Sequence, residues 1–208
     1  MTTENIAGNP GRAIVSLDAE AVRASVRVVS LIGDADMARP TPCGDWTLGE
    51  LLAHMTVQHD GFAAAATGNG ADLSRWQPAS PLAGTKGEYG AAAGRVLTAF
   101  GADGVLDREF VLPEISPELR FPAPTAIGFH FVDYVAHGWD VARALGLDYE
   151  LAPDLLDAGL KIARMVPDGD TRRQPGAAFA PRVAASGDAP PLDQIVALLG
   201  RRPQWPAP

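Results

Sequence analysis

The segment HFVDYVAHGWD places His130, Asp133, His137 and Asp140 at successive spacings of three, four and three residues. On a helix of 3.6 residues per turn, such spacings fall on roughly one wall. Imidazoles and carboxylates gathered there suit either a solvated outer face or one half of a metal site. The helical wheel alone leaves both readings open. Three features favour the second. The wall carries no Lys or Glu, the usual residues of a wet helix face. Ile127, Tyr134, Val141, Ala144 and Leu145 lie on or beside it, so the helix is apolar nearly all round, as helices buried on both sides are. Asp133 and His137 stand four residues apart, which lets side chains on adjacent turns share one ion. A buried carboxylate beside imidazoles is costly unless it is paired or metal-bound.

A metal needs ligands from a second element, and His54, in LLAHMTVQHD, is the candidate. It sits on the flank of a Leu/Met stripe, where a histidine taken alone is more often a hydrogen-bonded boundary residue than a ligand. His59 falls on the stripe itself and reads as a satisfied core or interface histidine. Cys43 lies in a Pro/Gly loop with no base beside it in sequence, so it reads as a packing residue rather than a nucleophile. Arg172 and Arg173 read as an exposed loop pair, with an anion at a pocket mouth as the alternative. ASGD and GNGAD lack the glycine spacing of a nucleophile elbow or phosphate loop, and no HExxH occurs.

These residues require helices to carry them. Apolar periodicity predicts a first helix over 16–33 and a second starting at the capping box Thr47/Glu50 and ending near 67–70. A third is expected over 87–100. REFVLPEISPELRFP offers two short extended pieces around a turn. The fourth helix, about 125–145, holds the His/Asp wall and stops at Gly146. A fifth over 153–165 and a short one over 192–199 flank a Gly/Pro-rich segment. The pattern predicts a mainly all-α protein, a four-helix up-and-down bundle with a small hairpin and a C-terminal extension. The bundle is assigned to residues 14–150, and the helix and Pro/Gly-rich extension packing on it to 151–208.

With 208 residues, 47% of them hydrophobic, the chain can bury a substantial core. A net charge of -8 with scattered basic residues argues against a nucleic-acid partner. No apolar run approaches the roughly 20 residues that span a bilayer, and the N-terminal residues lack a signal-peptide layout. A single cysteine excludes an internal disulfide framework. The expectation is a cytoplasmic protein without membrane contact.

Two segments, PTPCGDWTLGELLAHM and DYVAHGWDVARALG, together resemble the DinB-like, mycothiol-dependent maleylpyruvate isomerase superfamily, and most of all its actinobacterial metal-binding branch. The ending AAFAPRVAASGDAPPLDQIVALLGRRPQW resembles the tail of that branch. The resemblance implies a bundle holding one divalent metal, zinc or nickel ahead of others, through His54, Asp133 and His137. At position 133 the family carries Glu or His, so the shorter aspartate is a departure. His130, one turn earlier, is the substitute ligand should Asp133 not reach, and Asp140 is the acceptor that orients a ligating imidazole. The resemblance also implies a low-molecular-weight thiol such as mycothiol as co-substrate and an electrophilic small molecule as substrate, in thiol transfer or isomerisation. A metal-activated-water hydrolase and a non-catalytic metal- or small-molecule-binding protein remain alternatives, and a homodimer is compatible with all three.

Overall fold

The structure, a computed structural model, describes residues 10–78, 86–174 and 177–206. Four long helices form the bundle: α1 (Pro10–Val29), α2 (Leu48–Ala66), α3 (Lys86–Phe100) and α4 (Ala123–Leu145). A two-stranded hairpin, β1 (Glu109–Val111) and β2 (Arg120–Pro122), precedes α4, and α5 (Pro153–Met165) and α6 (Pro191–Leu198) follow it. α1 begins six residues before the expected Ser16, because the proline at residue 10 is tolerated in a first turn where its missing N–H costs nothing.

The helix ends follow local chemistry. At the start of α2 the Thr47 hydroxyl accepts from the Glu50 amide at 3.3 Å, and Glu50 Oε2 accepts from the Thr47 amide at 2.8 Å. α4 ends at Gly146, whose φ of 73° is the left-handed conformation that closes a helix; Leu147 then donates back to Ala142 O at 2.9 Å. In the hairpin Phe110 pairs with Phe121, so the buried Phe110 points into the bundle.

Contacts between named side chains give the helix directions. His54 lies against His137 and, further along, His59 against His130, so α2 and α4 are antiparallel. Ser25 meets Tyr89 while Lys86 reaches Ser30, so α1 and α3 are antiparallel. Leu51 and Met55 pack with Tyr89, and Phe62 with Val96 and Phe100, so α2 and α3 run the same way. The four helices therefore run up, down, down, up, which corrects the alternating up-and-down order expected from the sequence: nineteen residues separate α2 from α3, enough for the chain to return to the end at which α2 began.

Apolar packing explains why α4 is hydrophobic around its circumference. Tyr134 and Val141 join Leu48, Leu51 and Met55 inside the bundle, while Phe131, Val132 and Val135 face Leu155, Ala163, Ile195 and Leu199 from α5, α6 and the turn that follows. Each such fully buried side chain contributes about 1.5–3 kcal/mol relative to exposure. Gly138 permits the close seating of the segment after α4, because a β-carbon there would collide with the Tyr149 hydroxyl.

Arg172 departs from the exposed reading. It is 6% exposed, and its guanidinium donates to the carbonyls of Pro167 (2.7 Å), Leu198 (2.7 Å), Ala180 (3.1 Å) and Val166 (3.3 Å). A stretch poor in regular structure has backbone acceptors to satisfy, and the five donors of one arginine do so. Arg173 stays exposed and pairs with Asp170 at 2.6 Å.

Candidate metal centre

α2 and α4 present three donors to one another across the bundle. Four residues place Asp133 and His137 on adjacent turns of one face of α4, with His137 Nε2 at 3.4 Å from Asp133 Oδ1. His54 approaches from α2 with its ring 5.3 Å from that of His137 and inclined at 76°. The three ligand atoms lie within 4.8 Å of one another. Metal bonds of about 2.0–2.2 Å set ligand atoms roughly 3.3–3.5 Å apart. The Asp133–His137 pair already has that separation, and His54 needs only a small side-chain adjustment. The donor set therefore fits a divalent cation, and the aspartate is long enough to take part.

The centre is closed behind and open in front. His137 is nearly sealed, at 3% side-chain exposure, whereas Asp133 retains 19%. Trp46, half-exposed at the rim, packs on His54 with the ring centres 4.7 Å apart. Behind, His137 Nδ1 donates to Asp140 Oδ2 at 3.0 Å, which turns Nε2 toward Asp133 and His54. Asp140 is held in turn by Arg201, whose Nη2 donates to Oδ2 at 2.9 Å. The same nitrogen reaches Cys43 Sγ at 3.3 Å, and the Arg201 side chain is 4% exposed.

Arg201 comes from the segment after α6, and sequence reasoning did not find it. The one available signal was indirect: a buried Asp140 needs a cation. Nothing in a separation of 61 residues says which of the chain's arginines supplies it. Its position also decides between two donor sets. Cys43, His137 and Asp140 form a second group with suitable spacing. The guanidinium of Arg201 is already bonded to Cys43 and Asp140 and lies 3.5 Å from His137 Nδ1, so a cation fills that group. The His54 group is the one whose donors no internal cation occupies.

The electrostatics divide the two histidines. Burial, then the neighbouring His137, push the His54 imidazole down to about 4, against the pull of Asp133. Burial would depress His137 as well, but Asp133, Asp140 and Cys43 outweigh it and lift it to about 10. Asp140 suffers the largest effect from burial, which raises it, yet Arg201 and His137 hold it below the usual carboxylate value. Without metal, then, His137 keeps a proton between two carboxylates, and a cation binding there would have to displace that proton.

His130 does not serve as the substitute ligand. It points from α4 toward α1 and deeper α2, where Nδ1 meets Asp18 Oδ1 at 2.6 Å and Nε2 meets His59 Nδ1 at 3.1 Å. Both ring nitrogens are consumed, and all three residues are fully buried. His59 also stacks on Tyr134 with ring centres 3.9 Å apart, and the Tyr134 hydroxyl donates to Met55 O. The wall read from the sequence is thus split between two sites.

A family model described as the mycothiol maleylpyruvate isomerase N-terminal domain matches residues 19–142, which span α1 through most of α4. The chain belongs to this family. Two relatives from Mycobacterium tuberculosis, the uncharacterized protein MT0763 (strain CDC 1551 / Oshkosh) and the uncharacterized protein Rv0738 (strain ATCC 25618 / H37Rv), are each 32% identical over 188 residues, covering 87% of this chain and 90% of their own. Among solved structures, the mycothiol-dependent maleylpyruvate isomerase superposes with a TM-score of 0.55 at 14% identity, over 74% of this chain and 70% of that one. Its histidine-to-alanine mutant superposes at 0.56 and 13% identity with the same coverage. At that identity the likeness concerns the fold, and the mycothiol maleylpyruvate isomerase family fold is the one described above. No described helix is long and apolar enough to cross a membrane.

Proposed function

We propose that the protein is a divalent-metal-dependent enzyme that uses a low-molecular-weight thiol of the mycothiol type to transfer to, or isomerise, an electrophilic small molecule. The observation that carries this reading is the three-donor set His54, Asp133 and His137 with one open side. A structural zinc site is ordinarily closed by four protein ligands, whereas three leave a position for a reactant. Family membership supports the thiol, since the family is described by mycothiol and maleylpyruvate isomerisation.

A bound divalent cation would supply Lewis acidity, which stabilises a thiolate at neutral pH. The chain's own residues do the rest. Asp140 keeps His137 in the tautomer whose Nε2 faces the centre, and Arg201 balances the buried charge of Asp140. The burial of His54 keeps its imidazole neutral and its lone pair available. Trp46 places an apolar ring at the mouth, where it shields the His54 side from water. The thiolate would add to an electrophilic double bond, rotation would follow about the resulting single bond, and elimination would restore the thiolate.

The test is metal content by inductively coupled plasma mass spectrometry on untagged protein, followed by titration of the loaded protein with a small thiol. About one equivalent of metal and thiol binding that requires it are expected. Metal-dependent ester or amide cleavage without added thiol would replace this reading with the hydrolase. Metal binding with neither thiol binding nor turnover would reduce the protein to a metal binder.

A further inference from the structure

The thiol reading leaves a proton without a destination. A free thiol has a pKa of about 8.5, so it must give up its proton as its sulfur engages the centre. His54, Asp133 and His137 supply the ligand atoms, Asp140 is committed to His137 and Arg201, and Cys43 to Arg201.

A further carboxylate, Glu114, lies within electrostatic reach of Asp133, the exposed member of the donor set. Because α2 and α4 are antiparallel, one turn after His54 on α2 is level with one turn before His137 on α4. Gln58 and Asp133 therefore share a level, about 6 Å along the bundle from the two histidines. The β1–β2 loop brings Glu114 to this level, where Gln58 Nε2 donates to Glu114 Oε2 at 2.6 Å. The arrangement is built at both ends. Gln58 is 6% exposed, so a buried amide spends a donor on an exposed carboxylate. The loop is pinned where Ile115 and Ser116 donate to the carbonyl of Leu112, itself 1% exposed. Glu114 Oε1 has no hydrogen-bond partner among the described residues.

We propose that Glu114 is the base that accepts the proton of the co-substrate thiol. The S–H bond breaks, its electron pair stays on sulfur, and the proton passes to Oε1. From the exposed rim the carboxylic acid then returns that proton to water, so the carboxylate is regenerated. The inference rests on the thiol reading. Transfer from a free thiol to a carboxylate is uphill, and the stabilisation of the thiolate at the centre offsets the difference. In the metal-free protein partial burial raises the Glu114 carboxyl above its ordinary value, against the Gln58 hydrogen bond and with a further push from the charge of Asp133.

The experiment loads the full chain with Co(II), mixes it with 2-mercaptoethanol in dilute buffer, and follows the sulfur-to-cobalt charge-transfer band by stopped flow. For Glu114→Ala the band is expected to reach the wild-type amplitude but to form slower by on the order of 10²-fold. Added acetate should restore the rate in proportion to its concentration, an effect that a merely structural role for Glu114 would not produce. Glu114→Gln, which keeps an acceptor for Gln58, should be equally slow, and it becomes the deciding variant if the alanine protein loses cobalt. A wild-type rate in both variants, or a slow alanine variant that acetate does not rescue, overturns the role of Glu114 and leaves the thiol reading standing. No band in wild-type protein overturns both.

Discussion

The same two helices, with α1 adding Asp18, carry two clusters of the same chemistry with opposite fates. At one level, His54, Asp133 and His137 converge on an open side with ligand atoms turned toward one another. Roughly two turns away, Asp18, His130 and His59 form a sealed array in which hydrogen bonds use both nitrogens of His130. Composition does not separate them, since each has two imidazoles and one carboxylate. Supply and access do. The first cluster is backed by Asp140 and Arg201, which leave Nε2 of His137 facing outward. The second is walled by Phe62, Phe100 and Tyr134, so its polar groups have only one another. His59 Nε2 and Asp18 Oδ2 are even left without partners. A histidine cluster offers a metal ligand set where its donor atoms converge and a reactant can enter. Elsewhere it is a polar seam in the core.

The comparison breaks most visibly with metal. His54→Ala and His137→Ala should reduce bound metal from about one equivalent to near zero, while His59→Ala and His130→Ala should retain it. Mass-spectrometric metal analysis on proteins with wild-type helical circular dichroism decides this. Equal loss in all four would mean that the two clusters act as one. His130→Ala should be the costliest for stability, because it strands the buried Asp18. Breaking a buried pair from one side costs about 3–5 kcal/mol, to be read from urea midpoints.

Arg201→Met joins the two criteria. It strands Asp140 and loosens His137, so metal affinity should fall by about 10–100-fold with a measurable loss of stability. Competition with a chromophoric chelator gives the affinity. Unchanged affinity would make Arg201 a packing residue only.

The two clusters also differ in their response to pH. His54 and His59 are pushed below their ordinary value chiefly by burial. Their protonation favours the unfolded chain, so their contribution is complete above about pH 6.5 and is lost as pH falls. His137, lifted to about 10, works in the other direction: its contribution is complete below about pH 6.5 and is lost as pH rises toward 10. Metal-free protein should thus be most stable near pH 6.5. Each histidine contributes a slope of at most about 1.4 kcal/mol per pH unit. Metal should abolish the alkaline loss, because it binds neutral His137. Urea melts from pH 5 to 9, with and without zinc, would show a monotonic profile if these assignments are wrong.

Much of this architecture was legible in the sequence because it is local. The Thr47/Glu50 box and Gly146 act through neighbouring amides, so they mark the start of α2 and the end of α4 wherever those helices pack. The hairpin was legible for the same reason, from short extended runs around a proline turn. Arg172 was misread because a loop arginine looks solvated until the carbonyls around it are known. The start of α1 was misplaced because the apolar periodicity was read from Leu17 onward, whereas the helix had begun at Pro10.

The sequence by itself determined that Asp133 and His137 share a helix face, that the helix is apolar enough to be buried, and that His54 lies on a second helix. A period of 3.6 residues requires no partner to be true. Only the tertiary structure decided which of the four residues on that wall face His54, and that His130 faces Asp18, 112 positions earlier. It alone delivered Arg201 to Asp140 and Glu114 to Gln58. Periodicity fixes the angle at which a side chain leaves its helix, but what waits at that angle depends on packing between segments distant in the chain.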